Sequence, residues 1–446
     1  MRTLLLLLLA LVCGACPGQR RPAARVLLVG VDGLEWSVLQ PLLAQGKCPN
    51  LRALMERGSY GRLATMIPTL SPILWTTIAT GKHPEQHGIR GFTDADLKQY
   101  TSGQRRVRAL WNIADRCELA SDVCGWWITW PAEELRGNMV SGSSSSALVD
   151  ANWKPALIPG ATRQVWPPGL EPELLRIAES AGGLEEVRRL AREKVFGSFA
   201  GGELGQAEKQ LMQQTLWSVQ SDATYAAIAE RLLREDPGAL NMVYFGGTDV
   251  VSHRFWRYYE PQAFHWAPDA ELDALCARPE VWPRLGRAIP NYYEWFDEML
   301  GRLVAAAGPE ATVIVCSDHG FHAHSTDKPN ALLITGHHLD GPPGVLVAAG
   351  PGIARGGELA SCGSVLDLAP TVLALLGIPR AADMPGRACA ALLDERARAA
   401  AALAPVPTHD TGFRAAREEE VPEEMRANYV ERYKQLGYIG VEDERR

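Results

Sequence analysis

Short apolar runs alternate with amphipathic segments along most of the chain. The apolar runs lie at residues 26–31, 123–128, 240–245, 311–316 and 344–349. Continuous apolar runs are typical of strands that are buried on both faces. The segments with helical periodicity lie at 49–57, 107–117, 286–307 and 364–377. This pattern predicts an α/β fold with a mostly parallel central sheet flanked by helices.

One long segment interrupts the alternation. It begins with a serine run at 143–146 and a stretch rich in Pro, Gly and Trp at 150–170. The charged, amphipathic stretches 171–197 and 203–236 follow, and both predict helices. We therefore divide the chain into a first core part (22–141), a helical insertion or cap (142–222) and a second core part (223–446) that ends in a charged helix over 417–446. A cap of this kind is where substrate selection is expected.

The N-terminus has the pattern of an export signal. Arg2 precedes the apolar stretch Leu4–Val12, which is too short to span a bilayer, and small residues precede Cys16. This predicts a signal peptide over 1–16. The order Cys13-Gly-Ala-Cys16 resembles a bacterial lipoprotein processing site, so we expect a lipid anchor at Cys16. The expected location is the bacterial periplasm or outer membrane, or otherwise the secreted fraction.

Composition limits the class of partner. Apolar residues make up 46% of the chain and charged residues 22%, as in a soluble globular protein. The net charge is −7 and no basic block stands out, which argues against a nucleic acid duplex as partner.

Export would permit disulfides. The cysteines beyond Cys16 are odd in number, so at least one should be unpaired. The pairs we expect are Cys117 with Cys124 and Cys362 with Cys389, whereas Cys316 lies in an apolar run and is expected to be a small buried side chain.

Carboxylates follow three of the predicted strands. Asp32 comes directly after the first apolar run, Asp249 follows the run at 240–245, and Asp318 follows the run at 311–316. In open α/β sheets, the functional crevice lies beyond the carboxyl ends of the strands. We therefore expect these three side chains to converge.

Two of these carboxylates have histidines at metal-ligand spacing. Asp249 and His253 lie on one face of a helix if a helix begins there. Asp318 and His319 are adjacent and can share an ion only if the backbone bends sharply, which Gly320 permits.

A further pair of histidines follows Gly336. His338 completes the predicted ligand set, with His337 as the alternative. His322 and His324 lie just past the Asp318–His319 pair and could support its ligands. A mixture of carboxylate and imidazole ligands suits zinc, manganese or iron better than calcium or magnesium.

The stretch 67–89 supplies a candidate nucleophile. Ser71 precedes Pro72, which suits the first turn of a helix, so we expect Ser71 to be the N-cap. A hydroxyl at that position lies in the positive field of the helix N-terminus, where anions are favoured.

Together these motifs resemble those of the alkaline phosphatase superfamily, and within it the type I phosphodiesterase/nucleotide pyrophosphatase family. The resemblance covers roughly residues 24–390. It rests on Val31-Asp-Gly33, Pro68-Thr-Leu-Ser-Pro72, Thr80-Gly-x-x-Pro-x-x-His-Gly-Ile89, Asp249-x-x-x-His253, Ser317-Asp-His-Gly320, Gly336-x-His338 and Asp367-x-Ala-Pro-Thr371.

The resemblance implies two divalent metal ions, with Zn²⁺ expected and Mn²⁺ as the alternative. The ligands that it implies for one ion are Asp32, Ser71, Asp318 and His319. Those that it implies for the other ion are Asp249, His253 and His338.

The implied chemistry is hydrolysis of phosphate esters, with phosphodiesters first. One ion would lower the pKa of the Ser71 hydroxyl, so that its alkoxide attacks phosphorus and forms a phosphoserine. The other ion would stabilise the leaving oxygen and activate the water that releases phosphate. The amides of residues 71–73 are expected to share the phosphoryl charge. The expected substrate is a small-molecule or lipid-headgroup phosphoester.

The chain departs from the family pattern next to the nucleophile. The nucleotide pyrophosphatases of this family use Thr as nucleophile with Asn three residues later, whereas this chain has Ser71 and Leu74. This puts nucleotide specificity in doubt. Thr69 is the alternative nucleophile.

Other functions remain open. A phosphomonoesterase or phosphonate hydrolase is the nearest, followed by a phosphoethanolamine or phosphoglycerol transferase, and a non-catalytic envelope binding protein is the alternative from a different class. A sulfatase is not favoured, because Cys48 has the motif proline misplaced and Ser71 lacks the motif arginine.

Overall fold

The computed structural model describes residues 24–94, 98–142, 162–200, 202–264, 279–324, 334–417, 419–421, 423 and 426. The predicted signal peptide, Cys16 and most of the predicted C-terminal helix lie outside the described residues. None of the helices within the described ranges is long and apolar enough to cross a membrane.

Strands and helices alternate in the core. The strands are β1 (Arg25–Val31), β2 (Ser59–Leu63), β3 (Ser121–Cys124), β4 (Gly137–Val140), β5 (Val165–Trp166), β6 (Leu240–Phe245), β7 (Ala311–Cys316), β8 (His322–Ala323), β9 (Gly336–His337), β10 (Gly344–Ala349) and β11 (Gly357–Leu359). The first helices are α1 (Trp36–Ala44), α2 (Pro49–Arg57), α3 (Ser71–Thr80), α4 (Pro84–His87), α5 (Leu110–Arg116), α6 (Glu171–Gly182) and α7 (Leu184–Leu190). The later helices are α8 (Gln206–Glu235), α9 (Gly247–Tyr259), α10 (Trp282–Leu285), α11 (Ala288–Ala307), α12 (Leu368–Leu376) and α13 (Glu395–Ala401).

A nine-stranded sheet forms the centre, in the order β11-β2-β10-β7-β1-β6-β3-β4-β5. Its middle strands β7, β1, β6, β3 and β4 run parallel, with β1 paired to both β6 and β7. Strand β10 is antiparallel to β7 and β2, and β5 is antiparallel to β4. The predicted α/β class with a mostly parallel sheet is therefore confirmed, and the antiparallel strands lie towards its two edges.

The sheet is buried on both faces because successive side chains of a strand point to opposite sides. In β1, Leu27 and Val29 belong to the apolar cluster that includes α1, α2, α8, α9 and α11. Val26 and Leu28 belong to the opposite cluster, which includes α3, α5 and α12. This two-sided burial explains why the strands are continuous apolar runs.

Several element ends differ from the sequence-based expectation. The run at 123–128 is a strand only to Cys124, because Gly125 turns the chain with a φ of 73°. The helix predicted over 364–377 begins at Leu368 after a short 3₁₀ turn. Helix α8 is continuous through residue 222 and packs on α9, α11 and β6. The division into core and insertion stays a prediction.

The expected disulfides are wrong. Cys117 is disulfide-bonded, but Cys124 is a free thiol that donates to the Tyr225 carbonyl at 3.7 Å. Cys362 and Cys389 are also free. Cys316 is a buried free thiol in β7, as the apolar run indicated.

Candidate metal centre

The three carboxylates meet at one edge of the sheet. Asp32 follows β1, Asp318 follows β7, and Asp249 lies in the first turn of α9 just after β6. These three strands are neighbours and run parallel, so their carboxyl ends share one edge. The predicted convergence therefore has a structural cause in the strand order.

The first cluster consists of Asp32, Asp318 and His319, and all three side chains are buried. His319 Nε2 lies 3.3 Å from Asp32 Oδ1 and 3.5 Å from Asp318 Oδ2. Ligand atoms bound to one tetrahedral ion at about 2.0–2.2 Å are separated by roughly 3.3–3.6 Å. The three side chains are therefore spaced to hold one ion.

The second cluster consists of Asp249, His253 and His338, which are also buried. The two Nε2 atoms of the histidines lie 3.2 Å apart. Asp249 Oδ1 lies 3.4 Å from His253 Nε2 and 3.7 Å from His338 Nε2. Helix α9 carries Asp249 and His253 at positions i and i+4, and the turn after β9 carries His338, so that the three candidate ligands meet.

The two clusters lie side by side. The rings of His319 and His338 stack with their centroids 3.7 Å apart and their planes 8° apart. The ring of Phe321 contacts both clusters, through His253 of the second and His319 of the first. The arrangement is that of a paired site.

Orphaned polar atoms test whether the residues fit metal ions. Four buried atoms at the clusters have no hydrogen-bond partner among the described residues: Asp32 Oδ1, Asp249 Oδ1, Asp318 Oδ2 and His319 Nε2. Burying a carboxylate oxygen without a partner costs several kcal/mol. Each orphan faces the interior of its cluster, where a cation would satisfy it. The residues therefore fit divalent metal ions.

Burial and the neighbouring charges shift the pKa values of Asp318 and His319 in the first cluster. Burial raises the pKa of Asp318 well above its usual range, and the Asp32 carboxylate raises it further. Burial lowers the pKa of His319, but the neighbouring Asp318 and Asp32 outweigh this and raise it to about 10. Without metal the cluster must hold protons, and a cation would take their place.

Neighbouring side chains hold the ligands in position. Tyr244 Oη and Trp75 Nε1 both donate to Asp32 Oδ2, at 2.6 Å and 3.0 Å, so that Oδ1 faces His319. His253 Nδ1 contacts the Gly336 carbonyl at 2.9 Å, which leaves Nε2 towards its cluster. Such outer hydrogen bonds fix the tautomer and the direction of a ligand.

Residues on either side of Ser71 tie the start of helix α3 to both clusters. Thr69, two residues before Ser71, donates from Oγ1 to the His338 carbonyl at 2.8 Å. Trp75, one helical turn after Ser71 on the same face, donates to Asp32. Ser71 is buried and is the first helical residue, with Leu70 rather than Ser71 as N-cap. The Thr69 hydroxyl is engaged with His338, which favours Ser71 as the nucleophile.

The expected anion contacts at this helix are reduced. Pro72 has no N–H, and the Ile73 N–H donates to the Leu70 carbonyl at 2.9 Å. The Ser71 N–H is the amide of that stretch that remains for a phosphoryl oxygen. Leu74 is buried in the apolar cluster beneath the helix, so this position offers no polar group to a substrate.

Sequence reasoning missed Asp222. Its carboxylate accepts from the N–H groups of Gly246 and Gly247, at 3.1 Å and 3.0 Å, and from Tyr292 Oη at 3.0 Å. Burial raises its pKa to about 7. It therefore holds the start of α9, which carries Asp249. The only signal in the sequence is an acidic residue inside a buried helix face.

Of the adjacent histidines, the structure brings His338 into the cluster and not His337. His337 points to the other side of its strand, towards Asp340. The rings of His322 and His324 pack on His337, at centroid distances of 5.6 Å and 4.4 Å. His338 remains the predicted ligand.

Fold and clusters together define an α/β protein with a mostly parallel sheet and a candidate two-metal centre. Residues 26–358 match the model of the family described as type I phosphodiesterase / nucleotide pyrophosphatase. Because this match covers most of the chain, the protein belongs to that family.

Sequence relatives match over a short part of the chain. A 2,3-bisphosphoglycerate-independent phosphoglycerate mutase from Desulforudis audaxviator is 38% identical over 94 residues, which is 21% of this chain and 18% of the mutase. The corresponding enzyme from Trichormus variabilis is 33% identical over 120 residues, 25% of this chain and 22% of the enzyme. The chain thus spans about a fifth of the length of these relatives.

Solved structures match over longer stretches at low identity. Human ectonucleotide pyrophosphatase/phosphodiesterase 5 is 15% identical with a TM-score of 0.43, over 82% of this chain and 97% of that one. A putative sulfatase from Bacteroides thetaiotaomicron is 14% identical with a TM-score of 0.47, over 82% and 73%. Phosphonoacetate hydrolase from Sinorhizobium meliloti, in complex with phosphonoformate, is 17% identical with a TM-score of 0.38, over 68% and 57%.

Proposed function

We propose that this protein is a two-metal hydrolase of phosphate esters that acts first on phosphodiesters. The observation that carries the proposal is the pair of buried Asp/His clusters with their orphaned ligand atoms. Membership of the phosphodiesterase/nucleotide pyrophosphatase family supports the same reaction class.

In this proposal each cluster holds one divalent ion. Asp32, Asp318 and His319 hold the first, with Ser71 Oγ beside them. The second lies among the ligands contributed by α9 and by the turn after β9. When bound, the ions supply Lewis acidity that lowers the pKa of a nearby hydroxyl and neutralises charge on the phosphoryl oxygens. Zn²⁺ is the proposed metal and Mn²⁺ the alternative, because the ligands mix imidazole and carboxylate.

Ser71 is the proposed nucleophile. Its Oγ bonds to phosphorus while the bond to the leaving alcohol breaks, and that alcohol takes up the hydroxyl proton; from a diester, the phosphoryl group on Ser71 keeps its second ester group. Water then attacks the phosphoserine, releases the phosphoryl product and restores the hydroxyl. The contacts of Thr69 with His338 and of Trp75 with Asp32 support this role, because they hold the start of α3 against both clusters.

The proposed substrate is a small-molecule or lipid-headgroup phosphoester. Leu74 supports a substrate other than a nucleotide, because its buried apolar side chain stands where the related nucleotide pyrophosphatases have the side-chain amide of Asn. Its position in the core leaves phosphoryl recognition to the clusters and the start of α3.

The test compares three chromogenic esters: bis-nitrophenyl phosphate, nitrophenyl phosphate and nitrophenyl sulfate. The purified protein is stripped with chelator and reloaded with Zn²⁺ or Mn²⁺. We expect metal-dependent turnover with preference for the diester. Preference for the monoester would indicate a phosphomonoesterase instead, and no turnover by protein that carries two ions would overturn the hydrolase proposal.

The nucleophile is tested separately. Ser71→Ala should lose at least a thousandfold in turnover while keeping both ions. Wild type quenched during turnover of bis-nitrophenyl phosphate should carry the nitrophenyl phosphoryl group on Ser71 by peptide mass spectrometry. Ser361→Ala, a matched change at an exposed serine, should retain wild-type turnover. Turnover near wild type in Ser71→Ala would exclude this nucleophile.

We also propose export with a lipid anchor at Cys16, which the N-terminal sequence supports. Fractionation of a bacterial host should place the protein in the envelope, with a mature N-terminus at Cys16 that carries lipid. Cys16→Ala should release it from the membrane fraction. A cytoplasmic protein that retains Met1 would contradict this proposal.

A further inference from the structure

The hairpin of β8 and β9 carries a polar cluster that the proposed reaction does not use. His322 and His337 are directly opposite each other in this hairpin, and Asp340 follows in the next turn. One ligand atom from each of the three lies within 4.8 Å of the other two. We propose that His322, His337 and Asp340 form a third metal site, for a divalent transition metal such as Zn²⁺, Co²⁺ or Cu²⁺.

The ring of His322 is oriented in the manner of the buried ligands. Its Nδ1 lies 2.9 Å from the Ala323 carbonyl, which can only accept, so Nδ1 carries the proton of this bond. His319 Nδ1 makes the same contact with the carbonyl of the following residue, at 3.0 Å. In both cases Nε2 is directed to a carboxylate, here Asp340 Oδ1 at 2.7 Å. A main-chain carbonyl on the far nitrogen is the usual support of a metal-bound histidine.

The spacing of the three ligand atoms suits one small ion. Asp340 Oδ1 lies 2.7 Å from His322 Nε2 and 4.0 Å from His337 Nδ1. An ion bound at about 2.0–2.1 Å separates its ligand atoms by roughly 3.3 Å, which falls between these two values. A small movement of the Asp340 side chain would bring the two distances closer together. This residue is 64% exposed in a turn, so the shift is permitted.

A simple surface ion pair does not account for the whole cluster. An ion pair needs one histidine, whereas the Asp340 carboxylate faces two from opposite strands. The His324 ring stacks on His337 with centroids 4.4 Å apart and planes 16° apart, which holds that ring in place. Two imidazoles and one carboxylate favour a transition metal over calcium or magnesium.

The cluster is reached from solvent and lies beside the two-metal centre. His322 is 44% exposed and His337 is 22% exposed, so water can complete the coordination. The ring centroids of His337 and His338 lie 6.4 Å apart, and His338 belongs to the second buried cluster. The proposed ion would therefore lie on the solvent side of that cluster and add positive charge next to it.

The test counts bound ions. The full-length protein is stripped with chelator, loaded with Zn²⁺ by dialysis and measured by elemental analysis. The double variant His322→Ala/Asp340→Ala should bind one ion fewer than wild type. The matched control His83→Ala/Glu85→Ala removes a histidine and a carboxylate outside every candidate cluster and should bind as many ions as wild type.

A second readout uses Co²⁺, whose visible absorption reports coordination. The double variant should lose the share of the absorption that belongs to one ion, and the single variant His322→Gln should weaken the binding of that ion at least tenfold. Equal ion counts in wild type and double variant would overturn the proposal, whether both bind two or both bind three. Because the test measures a difference of one bound ion, its result does not depend on whether the buried centre hydrolyses phosphoesters.

Discussion

Tyr244 is the residue whose substitution tests most directly how the first cluster is held. Its hydroxyl donates to Asp32 Oδ2 at 2.6 Å, and Tyr244→Phe removes this one hydrogen bond while it keeps the ring. Trp75 Nε1 still donates to the same oxygen. The variant therefore leaves Asp32 in place but with one support fewer.

The expected magnitude comes from two independent routes. A hydrogen bond to a charged group contributes about 1.5–3 kcal/mol. Loss of an outer-shell partner of a metal ligand lowers metal affinity by about 10- to 100-fold, which corresponds to about 1.4–2.8 kcal/mol. Because the two ranges agree, we expect Tyr244→Phe to weaken the ion at the Asp32 cluster by 10- to 100-fold.

The assay is competition for Zn²⁺ against a chromogenic chelator. Tyr258→Phe is the matched control, because Tyr258 Oη donates to Glu208 Oε1 at 2.7 Å, a buried bond between a tyrosine and a carboxylate outside the clusters. The control should bind both ions as wild type does. Wild-type affinity in Tyr244→Phe, or an equal loss in the control, would refute the reasoning.

Three further substitutions test the supports of the centre and one buried histidine. Thr69→Val removes the bond to the His338 carbonyl and should weaken one ion about tenfold in the same competition assay, whereas Thr69→Ser should not. Gly247→Ala should prevent loading of the second cluster, because its Cβ would lie 1.7 Å from Tyr292 Oη; unchanged metal content would contradict this. Burial, with Arg105 and His83 nearby, lowers the pKa of His87 to about 3. Below the ordinary histidine pKa of 6.5, the unfolded chain binds a proton at His87 that the folded protein does not bind. The contribution of neutral His87 to the free energy of unfolding is therefore complete above pH 6.5 and is lost as the pH falls towards 3. The free energy of unfolding from denaturant titration should fall by about 2 kcal/mol more between pH 8 and pH 5 in wild type than in His87→Gln.

The strands and the ligand spacing that depend on local sequence pattern could be predicted from the sequence alone. The strands that end near Asp32 and Asp318 are continuous apolar runs, and the spacing of Asp249 and His253 places both on one face of α9. A strand buried on both faces and an i, i+4 pair can each be recognised without knowing what packs against them. These elements already define where the candidate centre lies.

The supports of the centre could not be predicted because they join distant parts of the chain. Tyr244 and Asp32 are 212 residues apart, and Thr69 and His338 are 269 residues apart. Neither a tyrosine in a buried strand nor a threonine before a proline-rich turn has a pattern that names its partner. The disulfide expectation failed for the same reason. The thiol of Cys124 donates to the carbonyl of Tyr225, which lies in helix α8, 101 residues further along the chain.

The position of Ser71 follows from contacts on either side of it rather than from its own. Thr69 ties the chain to His338 in the turn after β9, and Trp75 ties the same face of α3 to Asp32. A movement of α3 would therefore strain the supports of both clusters at once. Conversely, a loss of either cluster removes one of the two points that hold the start of the helix. The candidate nucleophile and the two candidate metal sites thus form one structural unit, held on a helix whose apolar side chains are buried in the core.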